Sequence, residues 1–193
     1  KSLKVEAYRD TTGPGKERIL EVLKMLEEKT DPASFRDLAI IRLLYTQGLR
    51  RKEAGGLNLE DYDRERSKLW ILGKARTDQE PVTVAPKTKV AIERWIAVRR
   101  KGEGPLFTNF DPTKKGDERL SDKSIWRTTC KYGLDHPHGL RHSAITEALD
   151  KSKGDVRAVR LFSRHKKLDT LMLYDDNRKD LGGEISKMLD EDT

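Results

Sequence analysis

One cysteine, Cys130, occurs in 193 residues, which excludes an intramolecular disulfide and fits a reducing, intracellular setting. No apolar run approaches the ~20 residues of a membrane span, and no signal-peptide pattern opens the chain. Internal repeats and low-complexity tracts are also missing. The chain starts at Lys1 rather than Met, which suggests a fragment or a processed chain. Hydrophobic residues make up 35% and charged residues 38%. A modest core under a densely charged surface is expected, in one large domain or two small ones.

What is present in excess is positive charge, unevenly spread. After Tyr174 seven acids (Asp175, Asp176, Asp180, Glu184, Asp190, Glu191, Asp192) face three bases (Arg178, Lys179, Lys187), a net of −4. Against the overall +7, residues 1–174 therefore carry +11. Such an excess suits a polyanion such as DNA or RNA, held by phosphate neutralisation. On charge alone, a solvated basic surface explains it equally well.

Residues 1–15 read as an irregular lead-in ending in a Gly-Pro-Gly breaker. Ile19, Val22, Leu23 and Leu26 recur at helical spacing, and Asp31-Pro32 opens a second helix with Leu38, Ile41, Leu44 and Tyr45. A short helical piece follows near Arg51–Ala54. Lys68–Gly73 and Pro81–Ala85 read as two strands joined by a polar turn over 74–80. Pro86 starts another helix, 102–116 is loop-like with one short extended piece at Leu106–Thr108, and Ser121–Tyr132 is helical. Helices over Pro137–Asp150, Val156–Phe162, Leu168–Tyr174 and Leu181–Leu189 complete the chain. The pattern predicts a mainly α domain with a small antiparallel β-sheet, an α+β class.

In His138-Gly-Leu-Arg141, Pro137 suits the first turn of a helix, so His138 and Arg141 share a face near its N-terminus. Unpaired backbone N–H groups there favour a phosphate, which the Arg can grip bidentately. Taken alone, a structural His and a surface Arg account for the same residues. A zinc reading of His138 and His142, with His136 and Cys130 nearby, lacks a glutamate between the histidines and a second close ligand pair.

The whole constellation is more specific. Gly48-Leu49-Arg50-x-x-Glu53 is followed by Leu57, Asp61 and Asp63, then a hairpin with Gly73-Lys74 at its turn. His138-x-x-Arg141 and His165 come next, and Tyr174 nine residues beyond. This ordered set resembles the tyrosine recombinase (phage integrase) family, from about Asp31 to Tyr174. The resemblance implies that family's catalytic-domain fold, with a first catalytic Arg at Arg50 and a hairpin lysine at Lys74. It further implies a His-x-x-Arg pair at His138 and Arg141, a later His at His165, and a nucleophile at Tyr174. Arg76 competes with Lys74, whereas Arg51 lacks the spacing to Glu53.

Metal-free cleavage of a phosphodiester needs a nucleophile, fixed positive charge around the phosphate, and a proton for the leaving 5′-oxygen. Arg50 and Arg141 would hold the non-bridging oxygens, His138 would move a proton at the tyrosine side, and His165 would donate to the phosphate. Lys74 would be the general acid, and Glu53 a brace for the arginine site. The 3′-phosphotyrosine conserves the bond energy, so no metal, ATP or other cofactor is implied; that accounts for the lack of a Gly-rich phosphate loop. Double-stranded DNA is the implied partner, in a tetrameric synapse of this chain, at the DNA of cytoplasm or nucleoid. Two rivals are a type IB topoisomerase and a non-catalytic DNA-binding regulator.

Lys123, Arg127 and Lys131 form one basic stripe, and the family's corresponding helix lies against DNA. Arg164 departs from the family, which usually has Gly before the later His, and so raises a question about the local backbone while offering a phosphate contact. The expected organisation is a lead-in and first helix over 1–30, a catalytic domain over 31–174, and a tail helix over 175–193. That tail packs either on a neighbouring protomer or on its own domain. The N-terminal DNA-clamping domain usual in the family does not fit in the stretch before Asp31.

Overall fold

A computed structural model describes residues 13–73, 77–99, 102–109, 118–165, 168–176 and 181–191. The expected lead-in over 1–12 and the hairpin positions Lys74 and Arg76 lie outside them. Two compact units are distinguished, one over Gly13–Ala144 and one over the described residues from Ile145 onward.

In the first unit, α1 (Lys16–Glu27) buries Ile19, Val22, Leu23 and Leu26 along one stripe. α2 (Pro32–Thr46) starts sharply: the Asp31 carboxylate accepts from the Ser34 backbone N–H at 3.0 Å and its hydroxyl at 2.6 Å, with Pro32 in the first turn. Leu38, Ala39, Ile40, Ile41, Leu43 and Leu44 are all buried, so α2 is apolar all round and forms the centre of the core. It packs mainly on α1 and on α4 (Pro86–Val98), whose Trp95 is fully buried and donates its indole N–H to the Leu106 carbonyl at 2.7 Å.

α3 (Arg51–Gly56) leads to an antiparallel sheet in the order β1 (Tyr62–Asp63), β2 (Lys68–Leu72), β3 (Gln79–Thr83). Leu69 and Ile71 of β2 point into the core, and Trp70 and Leu72 point out. α5 (Asp122–Lys131) is capped by Ser121 and packs against α3, where a Cβ on Gly55 would come within 2.9 Å of Ile125. α6 (Pro137–Lys151) begins in this unit, and the division falls within it, after Ala144.

The second unit holds the rest of α6, α7 (Val156–Ser163), α8 (Asp169–Asp176) and α9 (Leu181–Glu191). Its core is Ile145, Leu149, Val159, Leu171 and Tyr174.

Mainly α with a small antiparallel sheet is thus the observed class. Three details differ from expectation. β3 begins at Gln79 rather than Pro81, because Leu72 pairs with Gln79 through the backbone whatever the side chains are. β1 escapes any periodicity at two residues and exists only by pairing with Leu69 and Lys68. The extended piece at Leu106–Thr108 reduces to bridges flanking it, Asn58 with Pro105 and Thr108 with Arg119.

Candidate active site

The end of α2 sets the first arginine. Gly48 takes φ 57°, a left-handed turn that a Cβ disfavours, and stops the helix. Leu49 is then fully buried, and Arg50 becomes the residue that caps α3. Glu53, at the third position of α3 and itself buried, accepts from the Arg50 backbone N–H at 2.8 Å and from its guanidinium at 2.6 Å. Gly-Leu-Arg-x-x-Glu is therefore a local device: the glycine turns, the leucine anchors, and the glutamate locks the arginine. Arg51 is turned elsewhere, to an ion pair with Asp122 of α5.

The start of α6 supplies the next two groups. His136 precedes Pro137 and caps the helix, its Nδ1 accepting from the Gly139 N–H at 2.8 Å. One of the backbone donors expected to greet a phosphate is thus already used, a correction to the simple reading of this helix end. Arg141 is almost fully buried and donates to the Gly48 carbonyl, so the turn that places Arg50 also holds Arg141. The ring of His138 meets that of His142 edge-on at 4.1 Å. Desolvation, followed by the neighbouring His142, Arg141, His136 and Arg50, pushes its pKa down to about 4. His138 is therefore a neutral imidazole near pH 7.

Arg50, His138 and Arg141 line one cavity of about 990 Å3, together with Glu53, Trp70, Leu72, Gly73 and Trp126. Lys74 and Arg76 lie outside the described residues; Gly73, just before them, is at the cavity wall. Among the described residues no group of three His, Cys, Asp or Glu side chains is arranged to hold a metal ion.

His165 and Tyr174 belong to the second unit. α7 is capped at its start by Asp155, which accepts from the Ala158 N–H at 2.9 Å, and ends at Arg164 with φ 56° and ψ 36°. That left-handed turn brings His165 Nδ1 to 3.0 Å from the Ser163 hydroxyl. The rings of His165 and Tyr174 lie 6.0 Å apart between centroids. Tyr174 is 5% exposed, its ring packed in the core of its own unit.

On α5, Lys123 and Arg127 are exposed, as the basic stripe requires. Lys131 differs: its ammonium lies 3.2 Å from the buried Asp37 carboxylate, which also accepts from the Tyr132 hydroxyl at 2.9 Å. The Tyr132 hydroxyl first, and then Asp37, hold the Lys131 pKa above its usual range. Lys131 thereby fastens α5 to α2. Arg164 turns its guanidinium back to the Phe162 carbonyl at 2.9 Å.

Sequence reading missed the cavity walls, namely Trp70, Leu72, Trp126, Asn58 and Gln79. The available signal was a tryptophan on the outward register of β2, opposite in phase to Leu69 and Ile71.

The model of the phage integrase family matches residues 16–180. A tyrosine recombinase of Synechococcus elongatus is 39% identical over 96% of this chain and 61% of its own length. One of Synechocystis sp. is 40% identical, over 97% and 62% respectively. The tyrosine recombinase XerC of Actinobacillus pleuropneumoniae is 36% identical over 78% of this chain and half of its own length. The chain thus spans less than two thirds of these relatives. Among solved structures, XerA recombinase superposes with a TM-score of 0.69 at 19% identity, covering 93% of this chain and 65% of that one. XerH recombinase bound to its palindromic difH substrate gives 0.71 at 21% identity, covering 94% and 54%. These two likenesses show a shared fold.

Proposed function

The chain belongs to the phage integrase family, and from that premise we propose that it cuts and rejoins double-stranded DNA through a covalent link to Tyr174. The observation that carries this reading is the convergence of Arg50, His138 and Arg141 on one cavity, both arginines being held in place by other groups. In this reading Arg50 and Arg141 grip the non-bridging oxygens and spread their developing charge. The Tyr174 hydroxyl attacks phosphorus while His138, neutral near pH 7, takes up the phenolic proton. The bond from phosphorus to the 5′-oxygen breaks, a 3′-phosphotyrosine forms, and Lys74 protonates the leaving oxygen. His165 donates to the phosphate, and Glu53 keeps Arg50 in position. Attack by a second 5′-hydroxyl reverses these steps on a new strand, without ATP and without a metal ion.

The organisation we propose assigns 31–174 to the catalytic domain, 1–30 to a lead-in segment and the first helix, α1, which packs on α2, and 175–193 to a tail that docks on a neighbouring protomer in a tetrameric synapse. Met188 and Leu189 of α9 are both more than 60% exposed, which supports docking. Lys123, Arg127, Arg76 and Arg164 are assigned to DNA contact, and the protein acts at intracellular DNA. No helix among the described residues is long and apolar enough to cross a membrane.

Covalent capture tests this function. Wild type and Tyr174→Phe are incubated with a pooled library of nicked duplexes whose cleavage releases a short strand, and denaturant-resistant adducts are sought. The expected result is an adduct from the wild type only, with duplex affinity little changed in the variant. An adduct formed by the Phe variant removes Tyr174 as nucleophile. Absence of any adduct from the wild type across the whole library removes the reaction.

A further inference from the structure

Of the three tryptophans, Trp95 is fully buried, whereas Trp70 and Trp126 are 41% and 42% exposed. Both exposed indoles stand on the wall of the cavity that Arg50, His138 and Arg141 line. They come from two separate elements, β2 and α5, and Leu72, 54% exposed, extends the wall beside Trp70. Neither is an accident of a frayed end, since each sits inside a regular element whose other face packs in the core. Resting on the function proposed above, we infer that Trp70 and Trp126 grip the deoxyribose rings on either side of the bound phosphate. The site would then take a short stretch of sugar-phosphate backbone rather than a phosphate alone.

Size supports this. At about 990 Å3 the cavity lies at the upper end of the roughly 300–1,000 Å3 typical of sites for drug-sized ligands. One phosphate group leaves most of that space unfilled. The chemistry of the lining agrees: the guanidinium groups of Arg50 and Arg141 suit the anion, and the indoles and Leu72 suit something apolar attached to it. A nucleic-acid backbone alternates those two characters, charged phosphate with the C–H face of a sugar. On α5 Trp126 is exposed beside the basic residues Lys123 and Arg127. An indole also keeps an N–H donor at its edge for a phosphate or base oxygen while its ring is covered.

The test compares two polyanions, a mixed-sequence duplex and inorganic polyphosphate, which has the charge but no sugars. The duplex is expected to shift tryptophan emission to the blue, and polyphosphate to bind without that shift. Trp70→Phe and Trp126→Phe should each remove part of the response. Trp70→Ala and Trp126→Ala should each weaken duplex binding about tenfold, the order of one lost aromatic contact, and leave polyphosphate binding unchanged. Both positions are exposed, so thermal melting of the variants should match the wild type. Duplex binding with no change in emission, or equal weakening toward both ligands, overturns the inference while leaving the DNA reading intact. Failure of the duplex to bind where polyphosphate binds removes both.

Discussion

Arg164 ends α7 in a left-handed conformation, where a Cβ crowds the backbone at a cost of about 1–2 kcal/mol. The family's usual glycine at this position avoids that cost. Arg164→Gly should therefore raise stability by about 0.5–1 kcal/mol after loss of the bond to the Phe162 carbonyl, and raise Tm by about 1–4 °C. A fall in Tm would show that the guanidinium contacts outweigh the strained turn. A drop in duplex affinity in the same variant would add a phosphate contact to its role. His138 supports a pH prediction. Its folded pKa of about 4 lies below the ordinary 6.5, so the unfolded chain binds this proton more readily. Its contribution to stability is complete above pH 6.5 and is lost as pH falls toward 4. Urea midpoints measured across that window should fall less steeply for His138→Gln than for the wild type; equal slopes would place the titration elsewhere. A bound phosphate opposes the shift, so duplex DNA should flatten the wild-type slope as well.

At the level of elements, legibility followed how local the determining contacts are. α2 could be read from composition because Asp31, Pro32 and an apolar run specify its start and burial without help from elsewhere. The Gly48-Leu49-Arg50-x-x-Glu53 segment was equally legible, since its turn, anchor and brace all lie within six residues. β1 was not, because two residues carry no period and the strand exists only through pairing with β2. α5 is legible as a helix, but only Lys123 and Arg127 of its basic stripe are free to face outward as the spacing implies. Lys131 turns to Asp37, ninety-four positions away in the chain, and no spacing rule within a helix reports that. The cavity walls were illegible for the same reason: Trp70 and Trp126 look like stray surface aromatics until β2 and α5 bring them to one opening. The six proposed catalytic positions are visible in order, yet only Arg50, His138 and Arg141 can be followed to one cavity, as Lys74 falls outside the described residues and His165 and Tyr174 belong to the second unit.

Over the whole molecule, charge and assembly pull in opposite directions, and the tail is where they can be separated. Residues 1–174 carry +11, and the segment after Tyr174 offsets four of those charges. Deleting residues 177–193 removes three bases and five acids, which raises the net charge from +7 to +9. By electrostatics alone the shortened chain should bind an isolated duplex at least as tightly as the parent at low salt, with the gain fading as salt screens it. The same deletion takes away α9, with its exposed Met188 and Leu189, and so should abolish association of protomers on DNA if those side chains dock on a neighbour. Sedimentation with a duplex carrying paired sites, beside filter binding to a single short duplex, reads the two effects independently. Undiminished binding to the short duplex together with loss of the higher assembly is the expected outcome. Intact assembly with tighter binding would instead make the tail a screen for the basic face, folded on its own chain. Weaker binding to the short duplex would show that the tail supports the core itself, since the change in charge can only act the other way.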